Sequence, residues 1–524
     1  MANTMSRVEA MVVFVVGSLF LWNLVSTESA KAQNVSPADK ATIDDLVYAN
    51  RILASSELGI LDVWGHVSAR SLTNPNHYFI SRYVSPGVVT AADIIENDLD
   101  SVSVTGRKDE YQERFIHGEI YKARPDVMAV LHAHTPELVV FGVSSVPLYT
   151  IGSPLPIFDI RKFNKGMPGI ITNPELGKVL AESLGKSPAV LMWGHGVAVT
   201  DKSVAGLVSR VNRMRKDAQV QIIAGSLGGK NSSTESAGLT NRWASENSAA
   251  DIKSEWEGWK AMISKRMANA KPATQQLRST AEDLVLANKM LASEELGVLD
   301  ARGEVSARDP VNPNHFYIPR NVSSASATTQ DVIEYDLDCT PVGGPRGDQR
   351  PEIYIHCSIY AARPDVMAIV HAHTPELVGF SRSSIAYRTV QGGARFIGAG
   401  GLSKFDIGGP DLAIDNLQKG KRLAQALGKK PALLLVNHGV VVTDSSLYTV
   451  VNRAEDLKLN ARMQLQAILL GGKINYVQPL PGTPEKTIAP GENAATPQVP
   501  GGNGGGRALD RAWEYWRQMV AGSR

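Results

Sequence analysis

Cysteine is almost missing from this chain. Cys339 and Cys357 are its two representatives, too few for a disulfide framework, and neither has a counterpart in the first half, so they read as plain thiols. Excess charge of one sign is missing too: 54 Lys and Arg against 52 Asp and Glu leave a formal +2, no footing for nucleic acid or an acidic partner. Long apolar runs are missing beyond the N-terminus, so no later segment is expected to cross a membrane. The remaining composition, 20% charged and 43% AVILMFWYC, is that of an ordinary globular protein. Its 524 residues exceed what one core usually organises, so two or more domains are expected.

The N-terminus differs in kind. Arg7 precedes an apolar run from Met11 to Trp22, and Ala30-Lys31-Ala32 has the small-x-small form that signal peptidase cuts. The run is short for a bilayer span and suits a signal h-region. Glu9 offsets Arg7, which leaves an uncleaved anchor or a displaced start codon as alternatives. The expectation is a signal peptide over 1–32, a mature chain from near Gln33, and a periplasmic or secreted protein free of the membrane after cleavage.

The chain repeats itself with a period near 240, far too long for a solenoid, so two whole domains are implied. I-D-D-L-V-Y-A-N-R-I-L-A-S-S-E-L-G-I-L-D from Ile43 returns as A-E-D-L-V-L-A-N-K-M-L-A-S-E-E-L-G-V-L-D from Ala281. A-R-P-D-V-M-A-V-L-H-A-H-T-P-E-L-V from Ala123 returns almost unchanged from Ala362. Trp256 and Trp259 close one copy, Trp513 and Trp516 the other. The expected units are domain one over 40–268, a linker over 269–277 and domain two over 278–524. A polar stretch from Asn231 to Ala250 and a Pro/Gly-rich run from Gln478 to Gly506 read as loops.

Ten of the eleven histidines fall into pairs under the repeat: His77/His315, His117/His356, His132/His371, His134/His373 and His195/His438. Only His66 lacks a partner, with Glu304 opposite. The two copies differ at many surface positions yet share these five.

Periodicity predicts helices over Ile43–Leu58, Glu113–Ala123, Glu175–Leu184 and Val204–Leu227. It predicts strands over Val127–His132 and over Ala189–Thr200, the latter broken at Gly194-His195-Gly196. Helices alternate with strands, so each domain is expected to be α/β, three-layered, with a mixed central sheet flanked by helices.

His132 and His134 end a strand two residues apart, so both imidazoles leave one face and reach one point. His195 sits between glycines at the end of another strand and offers a third nitrogen. Three histidines with one open position suit a catalytic divalent ion. Copy two offers His371, His373 and His438. Glu113 and Glu352 each precede the H-x-H by 19 residues and lie four before His117 and His356. Each glutamate suits a general acid/base or a ligand to the resting ion; a dipole-stabilised helix start, or a partner that orients the histidine, accounts for the spacing equally.

E-R-F-I-H-G-E-I-Y-K-A-R-P-D-V-M-A-V-L-H-A-H, followed by G-H-G-V, resembles the signature of the class II aldolase/adducin family, in both copies and over nearly all of the chain beyond residue 40. The resemblance implies two tandem class II aldolase-like domains. It implies one divalent ion per domain, zinc first, with manganese or cobalt as substitutes, held by His132, His134 and His195 and by His371, His373 and His438. Glu113 and Glu352 would be the acid/base residues. The implied activity is carbon–carbon lysis of a small hydroxy-oxo or carboxylated oxo compound; the alternatives are decarboxylation of a ring-cleavage semialdehyde, or a non-catalytic scaffold like adducin. The family's ring-shaped tetramers imply that two chains of two repeats pair as a dimer.

The pattern also departs from the sugar-phosphate members. Gly65-His66 and Gly303-Glu304 stand where those have Gly-Asn, and a carboxylate at Glu304 would repel a phosphate. Arg82 and Arg320, in S-R-Y-V-S-P-G and P-R-N-V-S-S-A, are candidate partners for a substrate carboxylate. Copy two carries N-H-G at Asn437, copy one G-H-G at Gly194.

Overall fold

A computed structural model describes residues 36–150, 153–165, 169–227, 248–269, 279–343, 348–398, 400–408 and 412–477, with Trp513, Trp516 and Arg517. The expected signal peptide and the run from Gln478 to Gly506 lie outside the described residues, as do most of the expected linker and of the loop from Asn231. Among the described residues, no helix is long and apolar enough to cross a membrane.

In copy one, α1 (Pro37–Leu53) starts on a Ser36 side-chain cap with a proline in its first turn. Seven strands follow: β1 (His66–Arg70), β2 (His77–Ser81), β3 (Ile94–Asp98), β4 (Ala129–Ala133), β5 (Ile157–Phe158), β6 (Ala189–Met192) and β7 (Val197–Asp201). They form one sheet in the order β3-β2-β1-β4-β7-β6-β5. All neighbours are antiparallel except β5 and β6, so the sheet is mixed, as expected. Copy two repeats the same seven-stranded order from Glu304 to Asp444.

The sheet separates two apolar layers. On β4, Ala129, Leu131 and Ala133 enter the larger core with α1 and the long helix α5 (Val204–Ser226), while Val130 faces the smaller one. His132 shares the parity of Val130 and so lies on the second face, against α2 (Phe115–Ala123) and α4 (Pro174–Leu184). On β1 the same alternation turns Val67 and Ala69 into the larger core and His66, Ser68 and Arg70 to the site face.

The two copies interlock. Val390, Met463, Ala467, Leu470 and Val477 of copy two belong to the core of copy one, and Val63 of copy one belongs to that of copy two. Asn475 N–H donates to Val143 O at 2.8 Å, and Arg462 pairs with buried Glu137 at 2.8 Å.

One expectation is overturned. Cys339 and Cys357 are joined as a disulfide, with a Cα–Cα distance of 5.5 Å. They stand 18 residues apart, but the turn after the third strand of copy two folds back on the helix Ile353–Ala362 and brings them together. Two cysteines make no framework, yet one bridge needs only this geometry.

Candidate metal centres

In copy one His132 is fully buried on β4, with His134 just past the strand end. His195 sits in the tight turn between β6 and β7, where Met192 N–H donates to Gly196 O at 2.7 Å and His195 N–H to Met192 O at 3.1 Å. Glu113 lies in the 3-10 turn Gln112–Arg114 that leads into α2. These four residues each bring one ligand atom within 4.8 Å of the others, and so do Glu352, His371, His373 and His438. All eight positions read from the sequence for metal and acid/base roles therefore converge, four in each copy.

The outer contacts aim the nitrogens inward. His132 Nδ1 donates to Val197 O at 3.2 Å, and His134 Nδ1 lies 2.9 Å from Asp62 Oδ2. In copy two His371 Nδ1 donates to Val440 O at 3.1 Å, and His373 Nδ1 lies 3.0 Å from Asp300 Oδ1. With the proton on Nδ1, each Nε2 lone pair is left for a ligand-bound ion. His195 and His438 turn Nε2 to within 3.4 and 3.2 Å of the facing glutamate oxygen. Each glutamate is pinned by its other oxygen: Ile171 N–H donates to Glu113 Oε1 at 3.0 Å and Ile414 N–H to Glu352 Oε1 at 2.8 Å.

Glycine is needed beside the histidines. A Cβ on Gly196 would stand 2.5 Å from Ala133 O and 3.0 Å from both His132 Cε1 and His134 Cδ2; Gly439 is equally confined by Ala372 O. Gly194 and Asn437 both adopt positive φ, 58° and 60°, which explains why Asn replaces Gly there. Copy one keeps Gly because Val477 of copy two presses on the place a Cβ would take.

The electrostatics suit a cation. Burial pushes the Glu113 carboxyl up, but facing His195 and His132 reverse this and hold it well below the usual carboxylate range. Glu352 is lowered in the same way: burial raises it, and His371 and His438 overrule burial. Burial drives His195 down to about 4 despite Glu113. Ionised carboxylate and neutral imidazole are the states a divalent ion requires; in copy two Glu352 outweighs burial and raises His371. His132 Nε2 is buried with no hydrogen-bond partner, an arrangement that costs free energy unless something electrophilic faces it. The donor set thus fits one divalent ion per copy.

Other histidines do different work. His117 and His356 are buried beside the centres, bonded to Ser68 and Ser306 at 2.6 and 2.7 Å, and those serines to Tyr121 and Tyr360 at 2.9 Å. His77 and His315 pair with Glu96 and Glu334 on the outer strand of each sheet. Arg82 and Arg320 are not among the converging residues; their Nε atoms pair with Asp93 and Asp331 at 2.6 and 2.7 Å. Asp62 and Asp300 were not singled out in the sequence, although both close the first repeated segment. The backbone donors of Ile171 and Ile414 leave no mark in it at all.

The chain matches the family described as Class II Aldolase and Adducin N-terminal domain over residues 44–222 and again over 282–465. Among its relatives, Decarboxylase tropJ of Talaromyces stipitatus is 30% identical over 186 residues, 32% of this chain and 70% of that protein. The 3,4-dihydroxyphthalate decarboxylase of Arthrobacter keyseri is 28% identical over 208 residues, 37% of this chain and 80% of that one. Beta-adducin of Homo sapiens is 26% identical over 182 residues, 32% of this chain and 23% of that one. An aldolase II superfamily protein from Pseudomonas syringae aligns in structure with a TM-score of 0.37 at 22% identity, covering 44% of this chain and 95% of its own. With both halves matched and a seven-stranded mixed sheet in each, the chain belongs to the class II aldolase and adducin family as two tandem copies.

Proposed function

We propose that the protein is a metal-dependent carbon–carbon lyase with one centre per copy, acting on a small hydroxy-oxo or carboxylated oxo compound. The observation that carries this reading is the convergence of three histidines and a glutamate twice in one chain. Decarboxylation is the favoured form, because relatives matched over most of their length are named decarboxylases. A bound zinc, manganese or cobalt ion would supply Lewis-acid stabilisation of the negative charge left when the carbon–carbon bond breaks. His132, His134 and His195, and their counterparts His371, His373 and His438, would hold it. Glu113 and Glu352, each fixed by a backbone N–H on one oxygen, would use the other to hold or move the proton. Arg82, engaged through Nε, would use its outer nitrogens for a substrate carboxylate, and Arg320 holds the same place in copy two.

Elemental analysis of chelator-free protein tests this directly. About two equivalents of divalent metal are expected, falling to one when His132 and His134 become Ala and to none when His371 and His373 follow. Glu113→Gln with Glu352→Gln should keep the metal and lose at least about a hundredfold in turnover. Absence of metal uptake would sink the lyase reading and leave the scaffold role that beta-adducin's match favours. Against that role, a scaffold has no use for two complete donor sets.

Two further parts of the reading concern where and how the chain works. The Cys339–Cys357 bridge supports an oxidising compartment and, with the pattern at Ala30-Lys31-Ala32, a signal peptide over 1–32 and export to the periplasm or beyond. A dimer is supported by an asymmetry of exposure. Met463 and Leu470 on the last long helix of copy two are 3% and 8% exposed against copy one. Their counterparts in copy one, Val220 and Leu227, are 43% and 81% exposed. Among the described residues, the helix Pro375–Arg382 of copy two lacks the cover that its counterpart, α3 (Pro136–Val143), receives. A second chain would seat the open helix of copy one on the open helix of copy two and close a ring of four domains.

A further inference from the structure

The polar side chains behind the two centres are mostly repeated: Ser68 and Ser306, Arg70 and Arg308, His117 and His356, Tyr121 and Tyr360, Asp62 and Asp300. Two positions that meet in space change together. His66 becomes Glu304, and Tyr111 becomes Arg350. Both touch the wall of the centre. Residue 66 faces His132 across the strand pair, and residue 304 faces His371 in the same register. In copy one the rings of His66 and Tyr111 lie 4.3 Å apart, and those of His66 and His132 5.3 Å. His66 Nδ1 is 2.7 Å from His117 Nε2.

In copy two the wall is ionic. Arg350 Nη1 donates to Glu304 Oε2 at 3.0 Å, and both side chains are buried. His356 Nε2 lies 3.2 Å from Glu304 Oε1. A carboxylate only accepts, so the hydrogen bonds run one way: Tyr360 to Ser306, Ser306 to His356 Nδ1, and His356 Nε2–H to Glu304. Arg350 has little left for a ligand. It also donates to Pro319 O at 2.9 Å, Val322 O at 2.7 Å and Arg302 O at 3.2 Å. His356 and Arg350 together hold Glu304 as a hydrogen-bonded carboxylate in register with His371. A second carboxylate brought next to Glu304 in this poorly hydrated wall is disfavoured by like-charge repulsion, of which Arg350 offsets a part. The imidazole at position 66 imposes no such repulsion. Glu455 and Asp456, lent by copy two, lie in the field of Asp62, where burial raises both carboxyls.

We propose that the two centres of one chain are tuned to ligands of different charge: copy one, through His66 and Tyr111, admits a carboxylate beside its metal ligands, and copy two, through Glu304 and Arg350, prefers the uncharged counterpart. This rests on the metal-centre reading above. Full-length chains with His371→Ala and His373→Ala keep only the first centre; those with His132→Ala and His134→Ala keep only the second. Each is loaded with zinc and titrated calorimetrically with 3,4-dihydroxybenzoate and with 3,4-dihydroxybenzamide, which differ by one charge on the same frame. The benzoate-to-benzamide affinity ratio should be at least about tenfold higher for the chain that keeps copy one. In the chain that keeps copy two, Glu304→His with Arg350→Tyr should raise the ratio towards that of copy one; if that variant does not fold, Glu304→Gln tests the same direction. Equal ratios with zinc-dependent binding at both centres overturn the charge tuning and leave the lyase reading standing. No zinc-dependent binding to either chain overturns both.

Discussion

At the scale of single residues, each histidine cluster is oriented by side chains outside it. Asp62 and Asp300 fix the tautomer of His134 and His373 through Nδ1. Asp62→Asn should weaken zinc binding at copy one by about tenfold or more while copy two keeps its affinity as an internal control. Competition with a chromophoric chelator measures both; an unchanged first affinity would remove Asp62 from the supporting role. His117 gives a second test. Burial, with His132 nearby, holds its imidazole at about 3, against 6.5 when unfolded. Unfolding therefore takes up a proton between those values. This share of stability is complete above about pH 6.5, declines as pH falls and is exhausted near pH 3. Chemical denaturation of metal-free protein across that range should show stability rising with pH, and His117→Gln should flatten the slope.

At the scale of elements, the helix that follows Glu113 and Glu352 is fastened differently in each copy. In copy one Tyr78 OH donates to Ser101 Oγ at 3.0 Å, Arg114 Nε donates to Ser101 O at 2.8 Å, and Gly118 packs so tightly that a Cβ would strike Ser101 Oγ. Copy two has Phe316, Ile353, Cys339 and Cys357 at the same four places, so an apolar joint with a disulfide replaces a polar one. Ser101 and Cys339 even share the left-handed backbone, with φ of 61° and 65°. Closing a loop of this length contributes about 3 kcal/mol by chain entropy. A phosphine reductant, or Cys339→Ser with Cys357→Gly, should lower the thermal transition of the wild-type chain by several degrees; a transition indifferent to both would show that the bridge carries no stability. The elements themselves were largely legible in the sequence. The helix expected over Val204–Leu227 spans Val204–Ser226, and the broken strand Ala189–Thr200 resolves into two strands around the His195 turn. The first helix starts earlier and ends sooner than its apolar period suggested, because Ser36 and Pro37 start it and the Ala54 turn stops it.

At the scale of the whole molecule, one face is closed within the chain and its pseudo-symmetric equivalent is open. Fully burying residues such as Val220 and Leu227 would stabilise an association by roughly 1.5–3 kcal/mol each. Sedimentation should therefore show a two-chain species, and Val220→Asp with Leu227→Asp should reduce it to single chains while copy one, already covered by copy two, keeps its metal. A wild-type protein that sediments as one chain at every concentration would refute the ring.

The duplication, the α/β layering and the eight residues that converge can be read from the chain alone, because they depend on spacing along it and on side-chain chemistry. The sequence also marked the exchange of His66 for Glu304. Which distant groups complete each centre follows from the packing of the fold. Asp62, Ile171 and Arg350 are brought in from 72, 58 and 46 residues away from their partners His134, Glu113 and Glu304. Packing likewise joined Cys339 to Cys357 and laid Met463 and Val477 of copy two against copy one. Contacts of that kind arise from how sheets and helices pack, and packing partners far apart in the chain leave no period in it to read.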